Sequence, residues 1–428
     1  MNLSFPVKEI KKQTPVFFRF LKKNSYSFSA LAPLLADVEF SNEPAPGIMI
    51  YSFFTRQKEE IFLEVSRAKK EFQALGIPSF FIAGGPHPSG VPDETLQYFD
   101  AVVVGEGEET LPELVAFLKN SDLFSEQNQI QNIQNQIQNK YQNKRKSRQE
   151  FPDFLAGLSK IPGIAYLDDF GKMVLTKKRP FVNLDTFPCF SPDNIWRPLE
   201  ISRGCPHRCK FCQTPQIFGH KMRHRSIPEI LKYAKYYDDL RFISSNAFAY
   251  GGNGVTPNPG PVKELLSALS EIGGKRIFFG TFPSEVRPEF ITEEMMELVT
   301  TYCANDSISI GAQSGSDDIL QEIGRGHTAE DVYSAVEICL EKKIIPIVDF
   351  IIGFPNETEK DQEKTLELID WICQKNGEVR AHYLTPLPST PYENIIPGKV
   401  HPEISKKLGQ LALGGKLKGV WENTKPEY

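Results

Sequence analysis

No stretch of the 428-residue sequence approaches the roughly 20 consecutive apolar residues of a membrane-spanning helix, so no membrane span is expected. The N-terminus, Met1 to Lys8, has no long apolar core behind its charges, and a secretory signal peptide is not expected either. Excess charge of one sign is missing too. The formal net charge is −5 and the pI is near 5.9, whereas a nucleic-acid-binding domain usually presents a net basic face. Cysteine is sparse: of the seven, Cys189, Cys303, Cys339 and Cys373 are scattered. That usage fits a reducing cytoplasm, and the scattered four read as core residues, since unbridged cysteine is commonly buried. What remains is an ordinary globular composition, 40% hydrophobic and 11% aromatic, and a length suited to two or three domains.

The other three cysteines stand together in Gly204-Cys205-Pro206-His207-Arg208-Cys209-Lys210-Phe211-Cys212, a C-x3-C-x2-C triplet that closes a strand-like run. Three thiolates this close can share one soft metal centre, and no fourth cysteine stands at a matching distance. An iron–sulfur cube held by three cysteines keeps one iron open to a small molecule; thiolate ligation is what such clusters need. Two other readings stay open. A structural zinc site wants four ligands, and His207, His220 or His224 would have to be the fourth. A disulfide would need an oxidising compartment.

Residues 1 to about 120 alternate apolar runs with amphipathic ones. Val16–Phe20, Gly47–Tyr51, Ser79–Ala83 and Asp100–Val104 are predicted strands, and Ile61 to Leu75 repeats at helical spacing and stops at Gly76, a suitable cap. Such alternation predicts a doubly wound, Rossmann-like α/β domain over residues 1–122, with ligands at the carboxyl ends of its strands. Residues 123–152 hold a Gln/Asn-rich tract followed by Lys144-Arg145-Lys146-Ser147-Arg148. Such a tract cannot bury enough apolar area to offset chain entropy, so a disordered insertion with a solvated basic end is expected. Residues 153–192 are expected to be a linker carrying a β-hairpin that turns at Asp168-Asp169-Phe170-Gly171.

From there the alternation resumes. Predicted strands Pro198–Ser202, Arg241–Ser245, Lys275–Phe282, Asp306–Ala312, Ile345–Ile352 and Val379–Thr385 are separated by helical segments, among them Pro228–Tyr237, Val262–Ile272, Ala329–Lys342 and Lys360–Gln374. Six such units over residues 193–398 predict a partial (β/α)6 barrel of the TIM type, with its chemistry at the carboxyl ends of the strands. The triplet follows the first strand. Residues 399–428 are left as a C-terminal extension, in which Trp421 reads as a packing residue.

The triplet and its setting resemble the radical S-adenosylmethionine (SAM) superfamily. That resemblance implies Cys205, Cys209 and Cys212 as ligands of a 4Fe–4S cluster, with SAM on the open iron and Phe211 beside the adenine. Ser309-Ile310-Gly311-Ala312-Gln313-Ser314-Gly315-Ser316, continuing to Arg325-Gly326-His327-Thr328, is similar to the fourth-strand motif of the methylthiotransferase-like and cobalamin-dependent branches. Gln313, Ser314 and Arg325 are the SAM contacts it implies. Val348 to Thr358 resembles the fifth-strand G-x-P motif and implies Gly353 and Pro355 near the adenine. After the second strand, where many relatives carry Gly-Gly-Glu, this sequence has Ser244-Ser245-Asn246, so Ser245 and Asn246 take that place. Glu285 and Arg287 read two ways: they orient SAM or substrate, or they pair with each other on a rim.

In the first half, Gly84-Gly85-Pro86-His87 follows one predicted strand and Gly105-Glu106-Gly107-Glu108 the next. Each is a glycine turn that lets backbone approach a ligand. A dinucleotide fingerprint would need Gly at Thr110 and should follow the first strand, and it fails on both counts. The pair resembles the cobalamin-binding domain that precedes the barrel in many radical SAM proteins. It implies Ser52, Gly84, Gly85, His87, Gly105, Glu106 and Gly107 as corrin contacts. The loop Leu21 to Ser27 lacks the histidine that the best-known form of that domain supplies to cobalt.

Together these resemblances imply a radical SAM enzyme that cleaves SAM at the cluster and uses cobalamin to methylate an unactivated carbon. An electron donor such as flavodoxin or ferredoxin would be its partner. Two alternatives remain: a radical rearrangement, cyclisation or sulfur insertion without cobalamin, and an electron-transfer or sensing module without turnover. No side chain is singled out as general acid or base, and the substrate is not legible.

Overall fold

The computed structural model describes residues 14–124, 152–193 and 197–422; the Gln/Asn-rich tract expected to be disordered lies almost wholly outside them. The chain divides into two compact units, Met1–Pro180 and Phe181–Tyr428.

The first unit is built on one seven-stranded sheet. Its strands are β1 (Val16–Arg19), β2 (Val38–Ser41), β3 (Gly47–Ser52), β4 (Ser79–Gly84), β5 (Ala101–Val103), β6 (Ile164–Leu167) and β7 (Met173–Leu175), in the spatial order β2-β1-β3-β4-β5-β6-β7. The first five run parallel, in the doubly wound order that reverses between β1 and β3. Burial explains the apolar runs: all six residues of β3 are buried, and Phe81, Ile82 and Ala83 of β4 have no exposure, as strands covered on both faces require. The helix Lys58–Ala74 turns Ile61, Phe62, Val65, Ala68 and Phe72 inward.

The sequence reading missed β2, whose Val38-Glu39-Phe40-Ser41 is too short and too mixed to stand out. It also made the hairpin a linker, which needs correction. β6 pairs antiparallel with β5 through Val102↔Ala165, and β7 pairs antiparallel with β6, so the hairpin extends the sheet. Ile164 and Ala165, which point to opposite faces of β6, are both fully buried there, so the strand is covered on both sides beside β5.

The second unit carries β8 (Leu199–Glu200), β9 (Ser202–Arg203), β10 (Arg223–His224), β11 (Asp239–Ile243), β12 (Arg276–Phe278), β13 (Ser307–Gln313), β14 (Ile345–Ile352), β15 (Glu378–Tyr383) and β16 (Leu417–Val420). Two parallel sheets, β12-β11-β8 and β13-β14-β15-β16, are joined by a parallel bridge from Val286 to Ile310. The result is an open parallel barrel with helices outside. Its shell core holds Leu199, Phe242, Leu265, Leu266, Ile308, Val348, Ile369 and Val379, all nearly or fully buried. The segment after residue 398 is no mere extension: the helix Pro402–Leu413 packs on the barrel and β16 adds a further parallel strand beside β15. Trp421 packs against the same core.

Local chemistry sets the element starts. Thr328 and Thr358 each cap the following helix, exchanging bonds with Asp331 and Asp361 in reciprocal capping boxes. The Thr358 box begins its helix directly behind the β14 turn and so defines where that turn ends.

Candidate functional site

The loop that carries the triplet is tied at several points. Gly204 has φ +91°, and a Cβ there would lie 2.2 Å from the Lys221 carbonyl oxygen, so only glycine fits. Ser245 Oγ donates to the Gly204 carbonyl at 2.6 Å, and Cys205 N donates to Gly219 O at 3.1 Å. Lys210 N donates to Ile323 O at 2.9 Å, and Cys212 N donates to Cys209 O at 3.0 Å. Cys209 is buried, Cys205 and Cys212 are partly so, and none of the three is bridged. Burial raises the pKa of Cys205 and Cys212, and each is raised further by neighbouring thiols of the triplet. The three sulfurs therefore feel one another.

Positive charge stands beside them. Arg325 Nη1 lies 3.9 Å from Cys209 Sγ while its Nη2 donates to the Gly311 carbonyl at 2.5 Å. Arg287 donates to Glu289 at 2.5 Å and to the Arg325 carbonyl; burial and the neighbouring Arg325 lower its pKa, against Glu289 and Cys209. Arg287 thus pairs with Glu289 and not with Glu285, which removes the rim pairing considered from sequence. His327, behind them, is pushed down to about 2 by burial and the two arginines, and Nε2 of its neutral ring donates to Ala312 O at 3.0 Å.

Two of the three histidines a zinc site would recruit are occupied, and the third, His220, is exposed. His207 Nε2 donates to Gly254 O at 2.9 Å. His224 Nε2 donates to Gly252 O at 2.9 Å and its Nδ1 accepts from Gly251 N at 3.2 Å. Among the described residues no three His, Cys, Asp or Glu side chains close around a single ion, the arrangement a mononuclear site needs. A cube tolerates wider spacing because each thiolate binds its own iron. Three unbridged thiols on one loop beside two guanidiniums therefore fit a 4Fe–4S cluster.

Around the triplet lie the other residues singled out from sequence. Phe211 packs on the buried Phe354, with ring centroids 5.9 Å apart, within a cluster that includes Ile319, Leu320 and Ile323. Gly353 has φ +91°, and a Cβ would meet the Tyr383 ring at 2.6 Å and Gly398 O at 2.9 Å. Its N–H is held by Glu357 at 2.7 Å, while Pro355 is half-buried in the turn. Burial pushes Glu357 up to about 7 even though that N–H and Gln362 favour its charge. Asn246 is 3% exposed, and neither its amide nitrogen nor its amide oxygen has a partner; a buried amide left so asks for a ligand. Gln313 is buried at the end of β13 with φ +76°, a strained conformation for a residue with a side chain. Ser314 is different. Its hydroxyl is fully buried against Thr365 Oγ1 at 3.2 Å, so it ties β13 to the helix Glu359–Gln374.

Sequence reasoning gave Asp349, Arg380 and His382 no role and did not join Glu285 to them. Glu285, Asp349, Arg380 and His382 form one charged group: Asp349 Oδ1 is 3.5 Å from Arg380 Nε and 3.7 Å from His382 Nε2, and Asp349 raises Glu285. The signal was present. Asp349 is the one charged residue of Ile345–Ile352, and Arg380 and His382 alternate with Val379 and Ala381, a period of two that places them on one face.

In the first unit the implied corrin residues lie at the carboxyl ends of β3, β4 and β5. Ser52 is buried, its Oγ donating to Ser27 Oγ at 3.0 Å and its carbonyl accepting from Asn24 Nδ2. Gly84 ends β4, and Gly85 (φ +94°) leaves a Cβ only 2.7 Å from Ser52 Oγ and 2.9 Å from Phe53 N. Gly105 (φ +85°) has nothing within 4 Å of its Cβ position, Glu106 is half-buried, and Gly107 packs on Leu31. His87 is 1% exposed, against Phe53 and Phe62, with Nδ1 3.3 Å from Thr55 Oγ1 and Nε2 3.2 Å from Glu94. It packs the loop from within. The open space over Gly105 suits a large flat ligand at this sheet's carboxyl edge.

Comparison with known proteins follows the same division. The radical SAM superfamily model matches residues 199–369. The chain is 31% identical over 241 residues, 53% of its length, to tRNA-2-methylthio-N(6)-dimethylallyladenosine synthase of Sulfurihydrogenibium sp. (strain YO3AOP1), covering 52% of that protein. It is 27% identical over 197 residues to bacteriochlorophyllide d C-12(1)-methyltransferase of Chlorobaculum tepidum, 46% of this chain and 41% of that one. It thus spans about half the length of the first of these curated relatives. Among solved structures, the radical S-adenosylmethionine methyltransferase TsrM from Kitasatospora setae, with cobalamin and a 4Fe–4S cluster bound, aligns with a TM-score of 0.60 at 15% identity over 88% of this chain and 76% of that one. The cobalamin-dependent S-adenosylmethionine radical enzyme OxsB aligns with a TM-score of 0.62 at 17% identity over 95% of this chain and 56% of that one. At such identities the likeness is one of fold, an α/β sheet domain followed by a parallel barrel. Through residues 199–369 the chain carries a radical SAM domain.

Proposed function

We propose that this radical SAM enzyme cleaves SAM reductively and, with cobalamin held at the first unit's sheet, methylates an unactivated carbon. The carrying observation is the triplet itself: three unbridged thiols with no fourth ligand grouped with them among the described residues, and Arg325 3.9 Å from Cys209. When bound, the cluster supplies the electron that breaks the sulfonium and cobalamin supplies the methyl group.

The chain's residues do the rest. Cys205, Cys209 and Cys212 hold the cluster, and Arg325 and Arg287 balance its negative charge. Phe211, backed by Phe354, offers a flat apolar face for adenine, and the glycine turn at Gly353 admits close backbone approach. Glu357 keeps that turn in place by holding the Gly353 N–H. The unpartnered amide of Asn246 and the strained Gln313 offer polar atoms for the methionine and ribose parts of SAM. Gly85 and Gly105 keep the sheet's carboxyl edge open to the corrin. No histidine lies in Leu21–Ser27, so that loop would offer cobalt no histidine ligand.

A second reading, methylthio transfer, draws on the 31% identity with a methylthio synthase. It needs a protein-held sulfur source besides the cluster. Residues 1–188 contain no cysteine, and Cys189 and Cys339, both buried, and the partly buried Cys303 are thiols that burial pushes up to about 12. That chemistry favours methyl transfer.

The test is anaerobic reconstitution of the full chain with iron, sulfide and cobalamin, followed by mass spectrometry of products from SAM labelled in its methyl group. 5′-Deoxyadenosine together with a labelled methyl increment on a product supports the proposal. A methylthio increment supports the second reading, and zinc or an absence of inorganic sulfide in the reconstituted protein overturns both.

A further inference from the structure

The inner wall of the barrel carries charge that cluster and SAM binding do not use. In the parallel register of β13, β14 and β15, Gly311 stands beside Asp349 and Asp349 beside Arg380. Asp349 is 6% exposed, and its Oδ1 faces Arg380 and His382 while its Oδ2 has no hydrogen-bond partner. Glu285, from the loop after β12, is raised to about 7 by burial and then by the nearby Asp349 carboxylate, against Arg380, Arg325 and His382. Glu285 nonetheless keeps part of its surface accessible, as a side chain lining a cavity does.

Arg380 is shared between Asp349 and Ser309, whose Oγ accepts from its Nη2 at 2.9 Å. Arg325 bonds the Gly311 carbonyl and lies by the Cys209 sulfur. Asp349 Oδ2 is left as an unused acceptor on a buried carboxylate, with the Glu285 carboxyl beside it. At the rim Phe282 is 60% exposed, its ring 5.7 Å from Arg380, an aromatic face of the kind that attracts cations. An orphaned buried carboxylate oxygen is costly to maintain unless a donor arrives.

We propose that this wall is the recognition site for the substrate and takes a cationic nitrogen group, an ammonium or amidinium, between Glu285 and Asp349 and against Phe282. The assignment rests on the functional reading above only in calling the bound molecule a substrate. The site orients that molecule through its charged nitrogen, and Arg380 and His382 hold Asp349 in place to receive it.

The test uses the reconstituted full-length chain with benzamidinium as the probe and neutral benzamide and anionic benzoate as comparators, read by titration calorimetry in the presence of SAM. Benzamidinium is expected to bind at least about tenfold more tightly than either comparator. Asp349→Asn and Glu285→Gln are each expected to erase that preference while SAM binding persists. Equal binding of benzamidinium and benzamide overturns the proposal, and so does a preference for benzoate, which would make the arginines the readers. Loss of SAM binding in Glu285→Gln also overturns it by assigning the carboxyls to SAM. If Asp349→Asn does not fold, the accessible Glu285→Gln decides the matter alone. Failure of the wild-type chain to form 5′-deoxyadenosine would refute the functional reading and leave this binding comparison standing.

Discussion

Replacing Gly311 by alanine isolates the contribution of Arg325. An added Cβ would sit 2.8 Å from Arg325 Nη2 and 2.8 Å from Gln313 Nε2. Gly311 is not among the left-handed glycines, so alanine brings no backbone strain and the two side chains must yield. Arg325 then loses its 2.5 Å bond to the Gly311 carbonyl, which from a charged donor is worth about 1.5–3 kcal/mol. Taking about 2 kcal/mol, the barrel unit should melt roughly 4–8 °C lower, given its size. The same movement draws the guanidinium off the Cys209 sulfur, now 3.9 Å away. SAM cleavage should therefore slow by about tenfold or more, the equivalent of ~1.4 kcal/mol in the barrier. The assay pairs a thermal melt with the rate of 5′-deoxyadenosine formation under strong reductant. If melting falls as expected and cleavage stays within about twofold of wild type, Arg325 does not serve the cluster. If melting does not change, the close approach at Gly311 is wrong.

Gly204→Ala meets backbone instead of side chain, 2.2 Å from Lys221 O at φ +91°. Strain of about 1–3 kcal/mol plus that clash should prevent the triplet loop from forming, seen as loss of iron and sulfide in the reconstituted protein; normal cluster content would contradict this. Glu357 titrates near 7 in the folded chain against an ordinary 4.5. Because the folded state holds this proton more tightly, the stability it contributes is complete below pH 4.5 and lost as pH rises through about 7. Glu357→Gln should flatten that fall and melt above wild type on the alkaline side of the window, and an unchanged pH profile would disprove the assignment. In the first unit, Gly85→Ala crowds Ser52 and Phe53 whereas Gly105→Ala faces open space. Gly85→Ala should lower the melting temperature more, whereas Gly105→Ala should cost only the strain of its left-handed backbone, about 1–2 kcal/mol, and should also weaken cobalamin binding. Equal cobalamin affinity in Gly105→Ala and wild type would remove that loop from the corrin site.

Much of this molecule is legible one residue at a time. The triplet, the strand Ile345–Ile352, the caps at Thr328 and Thr358 and the runs at β3 and β4 are local patterns, and each dictates its element through spacing, capping or burial of a continuous apolar run. The strand order is not local. Which edge of the first sheet accepts the hairpin, and that β16 joins β15 as a further strand, depends on where apolar faces such as those of Ile164 and Ala165 find cover. The site divides in the same way. Sequence alone named the ligating thiols, Phe211 and the glycine turns, because their chemistry is carried by residue type and short spacing. It could not show that His87 is interior packing, that Ser314 fastens a helix, or that Arg287 turns to Glu289 and leaves Glu285 facing Asp349. Those roles depend on pairings between residues as far apart as Cys209 and Arg325, or Glu285 and Asp349. Only the folded barrel brings such groups close enough for charge and burial to act on them.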